Sequence, residues 1–198
     1  ESNILWPGNI KWYAKSSGTT NDKSKFIPVS HEGLQRIHYK GGADVVALYL
    51  RNTPKSKLFD GKSLILGGSH SPNYNLAGSL VGDLSAILIE NINPFANLVR
   101  VPAKKTALLS DFEVKRDRIA QETLGKNITN ISGVPSWMLS VLVRIMELSG
   151  KEHLEEVWPN LEVFFHGGIA FTPYRKQYEK LITKSDMHYM ETYNASEG

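Results

Sequence analysis

The sequence of 198 residues contains no cysteine. This excludes disulfide bonds, thiolate metal sites and a cysteine nucleophile, and it fits a protein of the reducing cytoplasm. No apolar run approaches the roughly 18 residues that cross a bilayer, and no signal peptide opens the chain, so we expect no membrane partner. The 23 Lys and Arg residues are mixed along the chain with 20 Asp and Glu residues. Such a balance argues against a nucleic-acid partner.

Three common site motifs are missing as well. Neither the Walker pattern G-x-x-x-x-G-K-[ST] nor the dinucleotide pattern G-x-G-x-x-G occurs. The six histidines show no H-E-x-x-H or other ligand spacing, so we expect no structural metal. The densest basic segment, residues 115–118, alternates in sign and is typical of a solvated helix face.

Helical and strand patterns alternate along the chain, which predicts an α/β fold in which helices cover the faces of a sheet. The predicted strands are 10–14, 25–29, 62–66, 127–132, 161–165 and 188–192, and the predicted helices are 31–51, 76–91, 111–124, 136–148 and 173–182. Ser30 is the predicted N-cap of the first helix, which should be interrupted at Gly41 and Gly42. The continuous apolar run 161–165 is typical of a strand buried on both faces. One domain, or part of one, is expected.

The segment between the first two predicted strands combines glycine with short hydroxyl side chains. Its residues are Ser16, Ser17, Gly18, Thr19 and Thr20, with Lys25 shortly after them. A triphosphate needs converging backbone N–H groups, which glycine permits, together with hydroxyl donors and a cation. Lys25 or Lys23 would supply the positive charge. Taken alone, such a run is more often a plain surface loop.

Two further segments carry glycine or hydroxyl groups after predicted strands. Gly167 and Gly168 follow the buried run, where a missing side chain suits either the approach of a flat base or a tight turn. Trp137, in the segment 133–137, would serve equally well in a substrate pocket or in the core. The last segment consists of Tyr193, Asn194, Ala195, Ser196 and Glu197. By themselves these five are typical of a surface.

In this order and spacing the segments resemble one family. Residues 16–20 with Lys25 resemble the phosphate loop of the auxin-responsive acyl-acid amido synthetases, and residues 193–197 resemble their Y-x-x-S/T-E motif. The flanking residues 5–8 and 26–30 resemble the bacterial members of that family. The family is a branch of the adenylate-forming enzymes, beside the acyl-CoA ligases and luciferase. The resemblance covers essentially the whole chain.

The resemblance implies ATP and Mg²⁺ as cofactors and gives each motif a role. Ser196 would reach the α-phosphate and Glu197 would hold the Mg²⁺ ion, so these two are the expected catalytic residues. Nucleotide-binding residues would be Ser16, Ser17, Gly18, Thr19, Thr20, Lys25, Gly167, Gly168, Tyr193, Asn194, Ala195 and Ser196. Tyr193 would pack near the adenine, and His166 is the one histidine expected near a nucleotide. Residues 133–137 would border the acyl pocket.

The implied reaction joins a small carboxylic acid to an amine, with an amino acid as the expected acceptor. The acid attacks ATP to give an acyl-adenylate and pyrophosphate, and the amine then displaces AMP. Two alternatives stay open, namely thioester formation with coenzyme A and a non-catalytic nucleotide-binding domain. Because ligands of open α/β sheets lie outside the carboxyl ends of the strands, Ser17 and Ser196 should lie on the same side of the domain.

Residues 1–198 would be an internal fragment of the family's N-terminal ATP- and acyl-binding domain. The family's downstream aspartate for the ribose hydroxyls and its mobile C-terminal domain are missing from the sequence, so the fragment alone is expected to be inactive. Asn194 is a departure from the pattern, since many adenylate-forming enzymes have glycine at that position.

Overall fold

The computed structural model describes residues 6–16, 25–71 and 79–197. Its strands are β1 (Trp12–Ser16), β2 (Lys25–Val29), β3 (Lys62–Ile65), β4 (His70–Ser71), β5 (Leu80–Gly82), β6 (Arg100–Val101), β7 (Ile128–Gly133), β8 (Val163–His166) and β9 (His188–Glu191). Its α-helices are α1 (His31–Gly33), α2 (Lys40–Asn52), α3 (Leu84–Asn91), α4 (Lys104–Ala107), α5 (Phe112–Thr123), α6 (Pro135–Ser149) and α7 (Arg175–Leu181). Among these described residues, no helix is both long and apolar enough to cross a membrane.

The larger sheet has five strands in the order β6-β3-β7-β8-β9, and all of its pairings are parallel. Parallel neighbours need crossover connections, which are usually helical. Here α6 connects β7 to β8, and α7 connects β8 to β9. Because the five strands run in one direction, the segments that leave their carboxyl ends all emerge at one edge. The expected α/β fold, with helices packed on a sheet, is confirmed.

A smaller mixed sheet has the order β2-β1-β5-β4. In it, β1 and β2 form an antiparallel hairpin, with Ser16 opposite Lys25 at the end where the chain passes from β1 to β2. β5 runs parallel to β1, with Gly82 opposite Ala14. Residues 66–69 lead from β3 of the larger sheet to β4 of the smaller one. The two sheets are therefore connected by a four-residue segment.

Both faces of the larger sheet are buried. The main core cluster on one face includes Leu64, Ile131, Met138, Leu142, Trp158, Phe164 and Tyr178. On the other face, Tyr49 of α2 packs with Val163 and Phe165. All four residues of β8 are buried, which confirms the predicted strand with two buried faces. The alternation of side chains along β8 thus divides its aromatic residues between two layers of core.

The first long helix follows directly from β2. Ser30 caps it as predicted, because its Oγ accepts a hydrogen bond of 2.9 Å from the N–H of Gly33. The predicted interruption at Gly41 and Gly42 is wrong, since both residues lie inside α2. The irregular part comes earlier, where Leu34–Tyr39 is π-helical. Short π-helical segments often occur at functional sites.

The helix predicted over 76–91 is wrong at residues 80–82. Leu80–Gly82 forms β5, and the helix begins only at Leu84, after Asp83 at the N-cap position. The helical spacing had counted Leu80, whose side chain is 44% exposed and does not belong to the core. Residues 72–78 lie outside the described part of the chain. The other predicted elements agree with the structure to within two residues at each end.

Trp158 offers a direct test of the main core. Its side chain is fully buried, and its Nε1 donates to the carbonyl of Thr123 at 3.3 Å. Trp158→Ala should lower the free energy of unfolding by about 3–5 kcal/mol, because it removes a large apolar surface and leaves a cavity. Trp6→Ala, at a tryptophan that is 41% exposed, is the control and should cost much less. Urea unfolding measures both variants, and a loss below about 1 kcal/mol for Trp158→Ala would contradict the assignment.

Candidate functional site

The carboxyl edge of the larger sheet brings several predicted site segments together. Residues 66–69 leave β3, residues 134–137 follow β7, Gly167 and Gly168 follow β8, and residues 192–197 follow β9. In open α/β sheets this edge is where ligands bind. The order of strands places the segment after β9 next to the glycine pair after β8.

Thr192 anchors the predicted motif to the end of β8. Its backbone N–H donates to the carbonyl of His166 at 2.7 Å, and its Oγ1 donates to the same carbonyl at 3.1 Å. Tyr193 comes next and is 90% exposed. Ser196 is half-buried and Glu197 is exposed. The motif therefore starts from a fixed point and presents its aromatic ring and its carboxylate outward.

Gly167 and Gly168 each have a structural reason to be glycine. A Cβ at Gly167 would lie 2.2 Å from the carbonyl oxygen of Thr192, which is far inside van der Waals contact. Gly168 has φ +85°, a left-handed conformation that favours glycine. The tight-turn interpretation of this pair accounts for both residues. A flat ligand at the same place is compatible with it and stays a prediction.

Asn194 connects the motif to the first helix. Its Oδ1 lies 3.0 Å from Nδ1 of His38, within hydrogen-bond distance, and His38 belongs to the π-helical segment. Asn194 is the residue at which the sequence departs from the predicted motif, and here its side chain has a partner. The helix that begins just after the β1–β2 hairpin thus touches the segment that follows β9.

His166 lies at the predicted place in the chain, and its ring faces the core. The side chain is 3% exposed and stacks on Phe171 with ring centroids 4.3 Å apart. Burial lowers the pKa of His166 from its ordinary value, with Glu191 opposing and Arg175 reinforcing the shift. The imidazole is therefore part of a buried aromatic layer, and the backbone carbonyl of His166 is what contacts the motif.

The predicted phosphate loop lies for the most part outside the described residues, which include neither Ser17, Gly18, Thr19 nor Thr20. Ser16 and Lys25 are described, and they face each other where β1 ends and β2 begins. Because β5 is parallel to β1, the carboxyl end of β1 lies on the same side as Asp83, which follows β5. Asp83 in turn contacts residues 68 and 69 at the carboxyl end of β3.

The chemistry of Glu197 fits a magnesium ion that arrives with a nucleotide. Among the described residues, no group of three or more His, Cys, Asp or Glu side chains could hold a metal ion. Mg²⁺ commonly binds one or two carboxylates and takes its other ligands from phosphates and water. A single exposed carboxylate is consistent with that mode and would not form an independent metal site.

Lys115 is a site residue that the sequence interpretation missed. The predicted solvated face over 115–118 is wrong at this position, because Lys115 is 3% exposed. Its Nζ donates to the carbonyls of Gly67 and Gly68 at 2.7 and 2.9 Å. The amine thereby ties α5 to the segment that links the two sheets. A signal was present in the spacing, since Lys115 stands four residues before the core residue Ile119 and so shares its helix face.

Asp83 is the second missed residue. Its Oδ2 accepts a hydrogen bond of 3.0 Å from the backbone N–H of Ser69. A Cβ built on Gly68 would lie only 2.0 Å from the same oxygen, so only glycine fits beside this carboxylate. Gly68 also donates its N–H to Oγ of Ser85 at 2.8 Å. The backbone of residues 67–69 is therefore held from two sides, by α5 and by the start of α3.

Burial lowers the pKa of Lys115 to about 8, and the charge of Asp83 partly offsets this effect. An unfolded chain keeps a lysine pKa near 10.4, so above pH 8 the unfolded state holds a proton that the folded state has released. Stability from this group therefore rises with pH, at most by about 1.4 kcal/mol per pH unit, over the window between the two values.

We expect Lys115→Met to remove that rise. Between pH 8 and pH 9, the free energy of unfolding measured in urea should rise by about 1 kcal/mol more in the wild type than in Lys115→Met. The buried tyrosines titrate in both proteins, so their contribution cancels in this comparison. Lys105→Met removes an exposed lysine nearby and serves as the control. The outcome that would contradict this prediction is a difference in the free energy of unfolding, between wild type and Lys115→Met, that stays the same at both pH values. It would show that the amine of Lys115 titrates in the folded protein as it does in the unfolded chain.

Solved structures of other proteins share the fold of this chain. A likeness to the structure titled "AtGH3.15 acyl acid amido synthetase in complex with 2,4-DB" has a TM-score of 0.68 at 15% identity, over 95% of this chain and 41% of that one. Another, "GH3.15 acyl acid amido synthetase", gives 0.65 at 16% identity over the same shares. Likeness at this identity shows the fold. The chain spans 41% of the length of these structures.

No curated protein matches the chain. A family description does: "GH3 family N-terminal domain" matches residues 1–187. The match extends from before β1 to the residue before β9, and so includes the hairpin, the linking segment and the glycine pair after β8. The family inferred from the two motifs is thereby confirmed: the chain belongs to the GH3 family, in the part that corresponds to its N-terminal domain.

Proposed function

We propose that the protein containing this chain activates a carboxylic acid with ATP and transfers the acyl group to an amine. The observation that carries this proposal is the match of residues 1–187 to the GH3 N-terminal domain. The motif after β9 supports it, because this segment stands at the ligand-binding edge of a parallel sheet. The relatives' titles, which read acyl acid amido synthetase, agree with such a reaction.

In the first step, a carboxylate oxygen of the acid attacks the α-phosphorus of ATP and pyrophosphate leaves. The hairpin loop between Ser16 and Lys25 would surround the outgoing phosphates with N–H groups, hydroxyls and a lysine. Ser196 would donate to the α-phosphate as negative charge builds on it. Donors fixed in place before the reaction stabilise developing charge most effectively, and Thr192 provides a fixed start for the segment that carries Ser196.

Glu197 would hold Mg²⁺, which when bound neutralises phosphate charge and orients the leaving pyrophosphate. Tyr193, with 90% of its side chain exposed, offers a ring face on which adenine could stack. Gly167 and Gly168 border the same place and leave no side chains in the way. In the second step, an amine nitrogen attacks the acyl carbon, AMP leaves with the bonding electrons, and the nitrogen gives up a proton.

The acceptor distinguishes this proposal from its nearest rival. Pyrophosphate release from the full-length protein, measured with a panel of carboxylic acids, reports the first step. Adding amino acids and coenzyme A in separate reactions then reports the second, with an amide expected and a thioester as the rival outcome. Nucleotide binding without pyrophosphate release for any acid would favour a non-catalytic domain. Residues 1–198 alone should show no turnover.

The relative importance of Glu197 and Lys25 tests the assigned roles. Glu197→Gln should lower the adenylation rate by about 10²-fold or more, because it removes the ligand of a metal ion in the reacting site. Lys25→Met should cost less, since Lys23 and the loop's own N–H groups and hydroxyls also face the phosphates in this proposal. Pyrophosphate-release kinetics across a Mg²⁺ titration measure both effects.

Excess Mg²⁺ should restore part of the Glu197→Gln loss if that loss is one of metal affinity. Glu113→Gln, at an exposed carboxylate in the first turn of α5, is the matched control and should leave the rate unchanged. A Glu197→Gln protein with an unaltered rate and an unaltered Mg²⁺ dependence would remove Glu197 from the site and make it an ordinary surface residue.

A further inference from the structure

A cleft of about 400 Å³ opens beside the segment that links the two sheets. It is lined by Gly67 and Gly68 after β3, by Asp83 before α3, by Phe112 and Lys115 of α5 and by Trp137 of α6. The volume is that of a site for a small organic molecule. It lies at the carboxyl edge of the sheet, and no described residue of the candidate nucleotide motifs lines it.

The floor of the cleft carries a buried ammonium group with spare hydrogen-bonding capacity. An ammonium has three N–H donors, and Lys115 directs two of them to the carbonyls of Gly67 and Gly68. In the described part of the chain it has no third hydrogen-bond partner. A buried charged donor that lacks a partner is costly, so an acceptor atom that enters the cleft gains a strong interaction.

Asp83 places an acceptor beside this donor. One carboxylate oxygen takes the N–H of Ser69, and no described group donates a hydrogen bond to the other oxygen. The two charges are close enough for Asp83 to raise the pKa of Lys115 against the effect of burial. Gly68 fixes their arrangement, since its backbone contacts both groups. Donor and acceptor therefore stand in place before any ligand arrives.

The walls of the cleft are aromatic. Phe112 and Trp137 have ring centroids 6.0 Å apart at an angle of 45°, and Trp137 remains 41% exposed. Such walls favour a flat or apolar body. The cleft thus combines an apolar passage with one donor and one acceptor at its end, a common design for small-molecule sites.

A hydroxyl group satisfies both ends of this pair. Its oxygen can accept from Lys115 while its proton is donated to Asp83. An alkyl terminus would leave the ammonium without a third hydrogen-bond partner, a second carboxylate would be repelled by Asp83, and an ammonium would be repelled by Lys115. The pair therefore distinguishes a neutral hydroxyl from each of these alternatives.

The place of the cleft indicates which part of the substrate it would meet. Its wall after β3 is three strand spacings from the motif after β9, or about 14 Å at roughly 4.8 Å per spacing. An acid about 14 Å long whose carboxylate lies near Ser196 can reach β3 with its opposite end. We propose that the cleft binds the end of the acid remote from the reacting carboxylate, and that Lys115 and Asp83 select acids that carry a hydroxyl group there. This inference rests on the proposed function.

The test compares pairs of aryl alkanoic acids that differ only in a para-hydroxyl or para-methyl group, with alkyl chains of increasing length. For the chain length that reaches the cleft, the full-length wild type should prefer the hydroxyl member. Lys115→Met should lower kcat/KM for that member by about tenfold to a hundredfold and leave its methyl partner nearly unchanged. Lys105→Met is the control and should keep the wild-type preference. Direct binding of the same acids without ATP should show the same order.

Asp83→Asn should improve activity toward one class of acid, a result that misfolding of the variant cannot produce. The amide can still accept from Ser69, while its NH₂ replaces the free acceptor with a donor. The hydroxyl preference should fall, and an acid with a second carboxylate at the para position should improve by about tenfold, because the repelling charge is gone. If circular dichroism shows that Lys115→Met does not fold, Asp83→Asn alone tests whether the cleft selects hydroxylated acids.

The two proposals fail in different ways. Pyrophosphate release with several acids, but with the same hydroxyl preference in wild type, Lys115→Met and Asp83→Asn, would overturn the role of the cleft and leave the proposed function intact. No pyrophosphate release with any acid in the wild type would overturn the proposed function and this inference with it.

Discussion

The uniform direction of the strands β6, β3, β7, β8 and β9 is the constraint on which the rest of the structure depends. Parallel pairing with two buried faces requires a helical cover on each side, and the aromatic residues of β8 are shared between the two layers. It also gathers every segment that leaves a carboxyl end at one edge. For that reason the same edge carries the glycine pair at 167–168, the segment that begins with Tyr193 and the cleft beside Lys115. These parts of the site are far apart in the sequence.

Much of this arrangement could be predicted from local patterns. The run at 161–165 identified a doubly buried strand, and Ser30 identified the start of a helix, because both signals come from residues adjacent in sequence. β5 was missed since its three residues owe their extended form to β1, some seventy positions earlier. Pairing over such a distance leaves no periodicity in a short segment.

The candidate site likewise contains residues that the sequence pattern identified and residues that it did not. The two motifs and the glycine pair could be found because they resemble a family pattern in one dimension. Lys115 was misjudged from its charged neighbours, whereas its surroundings are set by carbonyls 47 and 48 residues away. The contact between His38 and Asn194 spans 156 residues and could not have been inferred from either end. What the sequence concealed is the set of interactions that tertiary packing creates.

The close approach of Gly167 to Thr192 has a consequence for how this fold tolerates change. The carbonyl of Thr192 occupies the space that a methyl group at position 167 would need, and the next residue in the chain is Tyr193. Even an alanine at 167 would therefore displace the strand end from which the motif starts, without touching the motif itself. A position that has no side chain thus determines where the segment after β9 begins, although it lies in a different part of the chain, at the end of β8.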